Sequence, residues 1–322
     1  MNKYNIILGD IPAGPDPPET REKNRTLYKK RVIHMKKLLS VLLAAGMVLS
    51  VTACGASSES TASTSETTSS SEAASQTEEA TSEAAASGEF TTVTDGVLTM
   101  STNAAFPPYE MTTDSGDFEG IDVEIAGAIA EKLGLELQID DMDFDAALLA
   151  VQQGKSDMVM AGVTVTEDRL AVMSFTDSYA NGIQSVIVTE DSDIASIDDM
   201  EGKLIGTQAG TTGYIYCSDT PENGGFGEDN VIAYDNGITA VQALMNGQVD
   251  CVVIDNAPAQ EFVKANQGLK ILDTEYANED YAIGVNKDNT ALLDAINGAL
   301  AELKADGTID SIISKYISTD AE

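Results

Sequence analysis

From Phe90 to the C-terminus, short apolar runs alternate with segments whose apolar residues recur at helical spacing. The run "GVLTMST" predicts a strand, "GIDVEIAGAIAEKLG" predicts an amphipathic helix that ends at Gly134, and "LELQID" predicts a second strand. Strands that alternate with helices in this way are typical of parallel sheets with crossover helices. The pattern therefore predicts an α/β body.

One helix-and-strand unit occurs twice in this body. "AALLAVQQGKSDMVMAG" and "ITAVQALMNGQVDCVVID" each contain a helical segment, a glycine and a buried strand, and their alignment places Gly162 and Asp255 at the same strand end. The repeat predicts two lobes of like topology. Ligands of open parallel sheets bind outside the carboxyl ends of the strands, so these two ends are candidates to face each other across a cleft. A chance match of a short pattern is the alternative interpretation.

The N-terminal part of the chain has the character of an export signal. Residues 35–53 have a short cationic start, an apolar run too short to span a bilayer and small residues before Cys54, which together predict a signal peptide. The ending "VTAC" resembles the bacterial lipobox, in which the cysteine becomes the lipidated first residue of the mature protein. An apolar helix with an incidental cysteine is the alternative. Residues 1–34 show no such features, and we expect them to be an extension from a mis-called start.

Residues 54–89 form a tract of Ser, Thr, Ala and Glu with nothing to bury, which predicts disorder. A flexible tract of this length reaches roughly 30 Å. We therefore expect a tether that holds the folded body close to the membrane through the lipid on Cys54. This places the protein on the outer face of the cytoplasmic membrane.

Charge and composition exclude several function classes. The net charge is -35, and the excess of Asp and Glu argues against a nucleic-acid partner because a polyanion would be repelled. The one histidine, His34, lies outside the expected mature region, which removes Ser-His-Asp and Cys-His catalysis and histidine metal sites. We expect no cofactor.

Two further features bear on metal and redox chemistry. The cluster "DDMDFD" lacks the glycine and the distal glutamate of a calcium loop, so we expect no metal there. Cys217 and Cys251 could form a disulfide outside the cytoplasm. Cys251, however, lies in an apolar strand, where a buried free thiol is an equal alternative.

"AGVTVTEDR" ends in Arg169, the only arginine after Met35. A guanidinium fork can hold both oxygens of a carboxylate. Thr166 is a good N-cap for a helix that begins with Glu167 and Asp168. The alternative is therefore a guanidinium paired with local carboxylates on a solvated turn.

Six segments, in this order and spacing, resemble the polar amino acid-binding proteins of ABC importers, the family 3 solute-binding proteins: "STNAAFPPYE", "GIDVEIAGAIAEKLG", "MDFDAALLAVQQGKSDMVMAGVTVTEDR", "SFTDSY", "GTQAGTTG" and "VDCVVIDNAP". The resemblance implies a two-lobed periplasmic-binding-protein-like fold of class α/β, in which each lobe is a mainly parallel sheet flanked by helices. Residues 90–182 and 282–322 would form lobe 1 and residues 183–281 lobe 2. Two crossover strands, near 179–184 and 277–282, would join them.

The resemblance also implies a site for a free amino acid. Arg169 would bind the ligand carboxylate, and Asp255 would bind its ammonium group. A capping aspartate before "NAP" is the alternative role for Asp255. Four further positions would add polar contacts from backbone or hydroxyl groups: Gly162, Thr164, Thr211 and Thr212.

The sequence says less about which ligand side chain the site would select. Phe106 and Phe144 match the family's aromatic walls, although either could be a core residue. Asn103 and Gln208 match positions that contact the ligand side chain, and both are neutral amides. A buried cation would be costly there unless a nearby aspartate reached inward, so we favour an uncharged ligand side chain.

The implied function is that of a monomeric lipoprotein that delivers an amino acid to an ABC permease in the membrane. One alternative is an enzyme on the same fold, a dehydratase acting on a prephenate-like substrate. Another is a surface interaction protein with no small ligand in the cleft.

Overall fold

The computed structural model describes residues 90–273 and 276–317. The predictions for the N-terminal extension, the signal peptide, Cys54 and the tether lie outside these residues. The strands are β1 (Val97–Thr102), β2 (Ala105–Phe106), β3 (Glu110–Thr112), β4 (Phe118–Glu119), β5 (Glu136–Asp141), β6 (Met158–Val159), β7 (Met173–Phe175), β8 (Ala180–Thr189), β9 (Ile205–Gln208), β10 (Val231–Tyr234), β11 (Cys251–Asp255), β12 (Leu269–Ile271), β13 (Ala277–Tyr281) and β14 (Gly284–Asn286). The helices are α1 (Ile121–Leu133), α2 (Phe144–Gln152), α3 (Glu167–Val172), α4 (Thr212–Ser218), α5 (Gly237–Met245), α6 (Asn256–Ala265), α7 (Thr290–Ala305) and α8 (Thr308–Tyr316).

The strands form two main sheets and one small one. The first sheet has the order β5-β1-β6-β14-β7, the second has the order β10-β9-β11-β8-β12 with β13 paired to β8, and β2, β3 and β4 form a small antiparallel sheet. We call the parts built on the first and second sheets lobe 1 and lobe 2. The predicted α/β class with two lobes is confirmed.

Each main sheet has a parallel core of three strands with antiparallel strands beside it. β5, β1 and β6 are parallel in lobe 1, and β10, β9 and β11 are parallel in lobe 2. β14 runs antiparallel to β6, and β8 runs antiparallel to β11. β14 directly follows β13, a strand that crosses between the lobes, so the chain enters lobe 1 at the end of the sheet where β6 ends. Three strands of each main sheet are therefore parallel, as predicted, and the strands beside them run antiparallel.

The internal repeat is present in the fold. Gly154 follows α2 and Gly247 follows α5, with φ angles of 64° and 65° that a glycine adopts without a steric cost. Asp157 accepts a hydrogen bond from the N–H of Thr99 at 2.8 Å. Asp250 accepts one from the N–H of Leu204, also at 2.8 Å. Each aspartate thus fastens its strand to the neighbouring parallel strand in the same way.

Two strands carry the chain between the lobes. β8 and β13 pair antiparallel, from the partners Ala277 and Gln184 to the partners Tyr281 and Ala180. β7 precedes β8 and β14 follows β13, and both of these flanking strands belong to the first sheet. These are the two crossover strands that the resemblance implied.

Each lobe has its own hydrophobic core. In lobe 1, side chains of α2 pack against β6 and β7 through Phe144, Val151, Val159 and Met173. In lobe 2, both cysteines lie in the core, and both are free thiols. Burial raises the pKa of Cys217 to about 12, so this thiol stays protonated and inert at neutral pH.

Among residues 90–273 and 276–317, no helix combines the length and the apolar character that crossing a bilayer requires. Within the same ranges, no three His, Cys, Asp or Glu side chains are grouped as ligands for a metal ion.

Candidate ligand-binding site

The predicted site residues surround one cavity between the two lobes. The cavity has a free volume of about 20 Å³, which is room for about one water molecule. The predicted residues that line it are Asn103, Phe106, Phe144, Gly162, Thr164, Arg169, Gln208, Thr211, Thr212 and Asp255. The structure adds Glu110, Ala161, Gln184, Val253 and Ile254 to the lining.

Arg169 is a buried cation whose hydrogen-bond partners are backbone carbonyls. Thr166 caps α3 and accepts a hydrogen bond from the Arg169 N–H at 3.2 Å, which fixes the start of the helix. The guanidinium donates to the carbonyl of Thr164 at 2.8 Å and to that of Gly210 at 3.1 Å, and it lies over the ring of Phe144. The side chain belongs to a residue that is only 7% exposed, which excludes the solvated-turn interpretation.

No carboxylate pairs with this guanidinium at ion-pair distance among the residues that the structure describes. Burial lowers the pKa of Arg169, and more distant carboxylates, led by Glu279, oppose that shift. An arginine nevertheless stays charged in a protein. A buried positive charge held only by neutral carbonyls is therefore well prepared to bind an anion.

Asp255 ends β11 and is 8% exposed. Its carboxylate accepts a hydrogen bond from Gln184 Nε2 at 2.9 Å and contacts the hydroxyl of Tyr281. Although Asp255 occupies the N-cap position of α6, its side chain makes no capping hydrogen bond. Burial, followed by the nearby Glu279, raises the pKa of Asp255 well above its ordinary value. Asp255 lines the cavity, where a positive group would stabilise its ionised form.

Glu279 is a buried acid that the sequence reasoning missed. It lies on β13, where burial alternates along the strand, and its Oε2 accepts hydrogen bonds from Thr164 Oγ1 at 2.9 Å and Gln184 Nε2 at 3.0 Å. Glu279 Oε1 and Gln184 Oε1 are buried, and neither has a hydrogen-bond partner. In "NEDY", Glu279 and Tyr281 are two residues apart, so their side chains point to the same face of a strand. Because Tyr281 is apolar, this spacing was the sequence signal that Glu279 is buried.

The two neutral amides meet across the cleft. Gln208, at the end of β9, donates from Nε2 to Asn103 Oδ1 at 3.0 Å. Asn103 in turn donates to the carbonyl of Met142 at 2.8 Å. The pair brings one hydrogen-bonding side chain from each lobe to the same part of the cavity.

The aromatic wall requires a glycine opposite it. Phe106 stacks on Tyr109 with ring centroids 5.7 Å apart. A Cβ at Gly162 would lie 2.8 Å from the Phe106 ring, and its φ of 55° is left-handed. Gly162 lies three residues beyond the end of β6, and not at the strand end as predicted, and it lets the backbone approach the ring there.

The two threonines lie at the beginning of α4. Thr211 Oγ1 accepts from the N–H of Tyr214 at 3.4 Å and donates to the carbonyl of Gln208 at 2.9 Å. Thr212 is 3% exposed. The neighbouring Gly210 carbonyl binds Arg169, so this turn contacts the guanidinium from lobe 2.

Comparison with known proteins places the chain in a family. The model of the "Bacterial extracellular solute-binding proteins, family 3" matches residues 98–319, which is more than half of the chain. The chain belongs to this family.

Named relatives of this solute-binding protein support the assignment. It is 30% identical over 230 residues to the "Probable histidine-binding protein" of Neisseria gonorrhoeae, covering 70% of this chain and 84% of the relative. It is 31% identical over 224 residues to "ABC transporter arginine-binding protein 1" of Escherichia coli (strain K12), covering 68% and 90%. A solved structure titled "An ancestral arginine-binding protein bound to glutamine" is 40% identical, with a TM-score of 0.65 and coverage of 70% and 99%.

The solute-binding protein also buries two carboxyl groups at the cavity: Glu110 lines it, and Asp122 is hydrogen-bonded to the lining residue Gly162. Asp122, in the first turn of α1, is 0% exposed, and its Oδ2 accepts hydrogen bonds from the Gly162 N–H at 3.0 Å and Tyr179 Oη at 2.8 Å. Burial raises the pKa of Asp122 to about 6, although both hydrogen bonds lower it. Burial and the Asp122 charge raise the pKa of Glu110 well above its ordinary value. The pair therefore retains a proton at neutral pH.

The raised pKa of Asp122 predicts a pH-dependent stability. Because the folded state binds this proton more tightly than the unfolded state, the free energy of unfolding rises as pH falls from about 6 towards 3.8. From pH 7.5 to pH 5, this one group should add about 1 kcal/mol. Asp122→Asn keeps an acceptor for Gly162 and Tyr179 and removes the titration, so its urea midpoint should rise less over this range.

Asp294→Asn is the matched control because Asp294 is exposed on α7. Its urea midpoint should follow pH as the wild type does. If Asp122→Asn also follows the wild type, the buried carboxyl does not titrate as described.

Proposed function

We propose that this protein captures a free amino acid between its two lobes and delivers it to an ABC importer. One observation carries the proposal: buried Arg169 and buried Asp255 line the same cavity, one with no carboxylate partner at ion-pair distance in the described chain and one with no cationic partner there. A zwitterion supplies the missing charge to each. The named relatives, which are binding proteins for amino acids, support this class of ligand.

The roles of the polar groups follow from their charge and position. Arg169 holds the ligand carboxylate with two parallel charge-assisted hydrogen bonds. Thr211 and Thr212 add donors at the beginning of α4, next to Gly210, which already contacts the guanidinium. Asp255 accepts from the ligand ammonium group.

The opposite lobe completes the ammonium site. Gly162 and Thr164 both line the cavity from lobe 1, and the carbonyl of the first and the hydroxyl of the second are the proposed acceptors. Thr164 is held by Glu279, whose Oε1 has no partner, so a further acceptor lies close to the ammonium position. Asp255, Gly162 and Thr164 thus supply three proposed acceptors for the three N–H donors of the ammonium group, and Glu279 lies nearby as a fourth.

The cavity must open before an amino acid can enter. A volume of about 20 Å³ holds a water molecule, and a free amino acid is several times larger. The lobes are linked by the hydrogen bonds from Arg169 to Gly210 and from Gln208 to Asn103. We infer that residues 90–182 with 282–322 and residues 183–281 move as two bodies about the crossover strands.

The ligand side chain is proposed to be uncharged. Phe106 and Phe144 form its apolar walls, and the amides of Asn103 and Gln208 meet its end. Amides supply donors and acceptors without charge. Asp143 and Asp145 are exposed, and burial raises the pKa of Glu110 in the lining well above its ordinary value, so these three acids do not supply a buried negative charge for a cationic side chain.

The location and the mode of attachment are part of the same proposal. A lipid on Cys54 would hold the protein at the outer face of the cytoplasmic membrane, and residues 54–89 would let the body reach the permease. Stable attachment requires two or more acyl chains, which lipobox processing supplies. The protein would act as a monomer, with the permease as its protein partner.

Binding is favoured over the dehydratase alternative by the relatives, which are named as binding proteins. If the protein is a receptor, a bound amino acid is recovered unchanged after prolonged incubation. Chemical conversion of the ligand would favour the enzyme.

A thermal-shift screen against the common amino acids tests the proposed function. A specific ligand present at a hundred times its Kd adds about 2.7 kcal/mol to the free energy of unfolding. We expect at least one uncharged amino acid to raise Tm, whereas its methyl ester, which lacks the carboxylate charge, should not. A screen in which no amino acid raises Tm would contradict the proposal.

A further inference from the structure

A second, larger cavity lies between the lobes and shares no lining residue with the first. Its volume is about 570 Å³, within the range of small-molecule sites. Lobe 1 contributes nine residues between Ala104 and Glu119, from the region of the small sheet of β2, β3 and β4, and lobe 2 contributes Ile238 of α5 and residues of α6. An occupant of this cavity would therefore contact both lobes.

The walls of this interlobe cavity are apolar. Pro107 and Met111 line it from lobe 1, and Ile238 and Phe262 line it from lobe 2. Met111 and Phe262 are 7% and 5% exposed, so these walls are anchored in the two cores and are not mobile surface side chains. Such walls suit the apolar body of a small molecule.

The charged groups at the interlobe cavity are all acidic. Asp114, Glu119 and Glu261 line it, and none of the lining residues is a lysine or an arginine. Lys264 pairs with Glu261 at 3.2 Å on the surface of α6. Within the described part of the chain, no ion pair joins Asp114 or Glu119 to a cation. The cavity therefore offers net negative charge beside apolar walls.

We propose that the interlobe cavity binds a small organic cation, a primary ammonium group on an apolar body about the size of one aromatic ring. The body contacts Pro107, Met111, Ile238 and Phe262, and the ammonium group lies between Glu119 of lobe 1 and Glu261 of lobe 2. A carboxylate or a phosphate would be repelled by the same groups.

Such a cation would act on the first cavity through lobe closure. Because its site is built from both lobes, its binding favours the closed arrangement that also surrounds Arg169. Coupling between two sites is reciprocal, so the cation should tighten the binding of the amino acid and the amino acid that of the cation. This coupling, unlike the cation site itself, rests on the proposed function.

Calorimetric titration of the purified full chain with phenethylammonium tests the cation site directly. We expect saturable binding, and we expect 2-phenylethanol, which keeps the ring and lacks the charge, to bind at least about tenfold more weakly. The double variant Glu119→Gln, Glu261→Gln should lose at least about tenfold in affinity for phenethylammonium. The control Glu136→Gln, Glu222→Gln removes two exposed carboxylates outside the cavity and should bind as the wild type does.

Three results would overturn the cation site. They are the absence of saturable binding, equal binding of the neutral alcohol, and unchanged affinity in the Glu119→Gln, Glu261→Gln variant, which would place the amine in the other cavity. If a short peptide of Lys and Phe binds through the same two carboxylates and phenethylammonium does not, the cavity is a docking surface for a basic protein segment and the small-cation proposal is also wrong.

A second titration separates this inference from the proposed function. With phenethylammonium at saturation, the Kd of the amino acid found by thermal shift should fall, and an unchanged Kd would overturn the coupling. Tight amino acid binding without cation binding would overturn the second site alone. Cation binding in a protein that binds no amino acid would support the site and contradict the proposed function.

Discussion

Replacing Arg169 by alanine is expected to weaken binding of the free amino acid by about a hundredfold or more. The guanidinium is buried and bonded to the carbonyls of Thr164 and Gly210, so it is already oriented when the ligand arrives. Its removal would leave the ligand carboxylate buried without its bidentate partner. Titration calorimetry of the wild type and the variant measures the loss.

Two further variants show whether the fork or only the charge matters. Arg169→Lys keeps the charge and loses the planar fork, so it should restore only part of the affinity. Lys287→Ala is the matched control because Lys287 is an exposed cation that also donates to backbone carbonyls of α3, those of Leu170 and Ala171. Lys287→Ala should bind as the wild type does. Equal losses in both alanine variants would point to damage to α3 and not to a lost ligand contact.

Replacing Cys54 by serine is expected to move the protein completely from the membrane fraction to the soluble fraction. The cysteine thiol is the attachment point of the proposed lipid, and no helix in residues 90–273 and 276–317 is long and apolar enough to cross a bilayer. Fractionation of expressing cells followed by immunoblotting measures the shift. Ser57→Ala, in the same tract, should remain with the membrane. If Cys54→Ser also remains there, the lipobox interpretation is wrong.

Local sequence signals predicted the elements that carry the site. Gly134 ends α1 in a left-handed conformation with φ of 70°, as the pattern of the amphipathic helix predicted. The repeat placed Gly162 and Asp255 at equivalent strand ends, and both line the cavity, although Asp255 ends β11 whereas Gly162 lies three residues beyond the end of β6. These predictions depend on short-range periodicity and on the residue types of turns, and both signals come from residues that are close together in the sequence.

The site residues that the sequence did not predict depend on contacts between residues far apart in the chain. Glu279 and Gln184 approach each other only because β13 pairs with β8. Nothing near either residue in the sequence shows that pairing. Residues of crossover strands also serve both lobes, so their alternation is harder to assign to one buried face than that of a surface strand.

The burial of two acids, Glu110 and Asp122, could not be predicted from the sequence for a related reason. Glu110 in "PPYE" and Asp122 in "GIDVE" have the appearance of ordinary solvated carboxylates, and acidic residues are favoured in the first turn of a helix. Both are 0% exposed: Glu110 begins β3 of the small sheet, and Asp122 is hydrogen-bonded to Gly162 and Tyr179, which are distant in the sequence. The strands of the small sheet are two or three residues long, too short for a period-two pattern to be recognised.

The central claim is that Arg169 and Asp255 hold opposite ends of one free amino acid, and a calorimetric crossover tests it most directly. Wild type, Arg169→Ala and Asp255→Asn would each be titrated with the amino acid, its decarboxylated amine and its deaminated acid. Asp255→Asn should weaken the ligands that carry an ammonium group and leave the acid nearly unchanged, whereas Arg169→Ala should weaken the ligands that carry a carboxylate and leave the amine nearly unchanged. If Arg169→Ala binds the intact amino acid as tightly as the wild type, or if both variants weaken all three ligands equally, the assigned site is wrong.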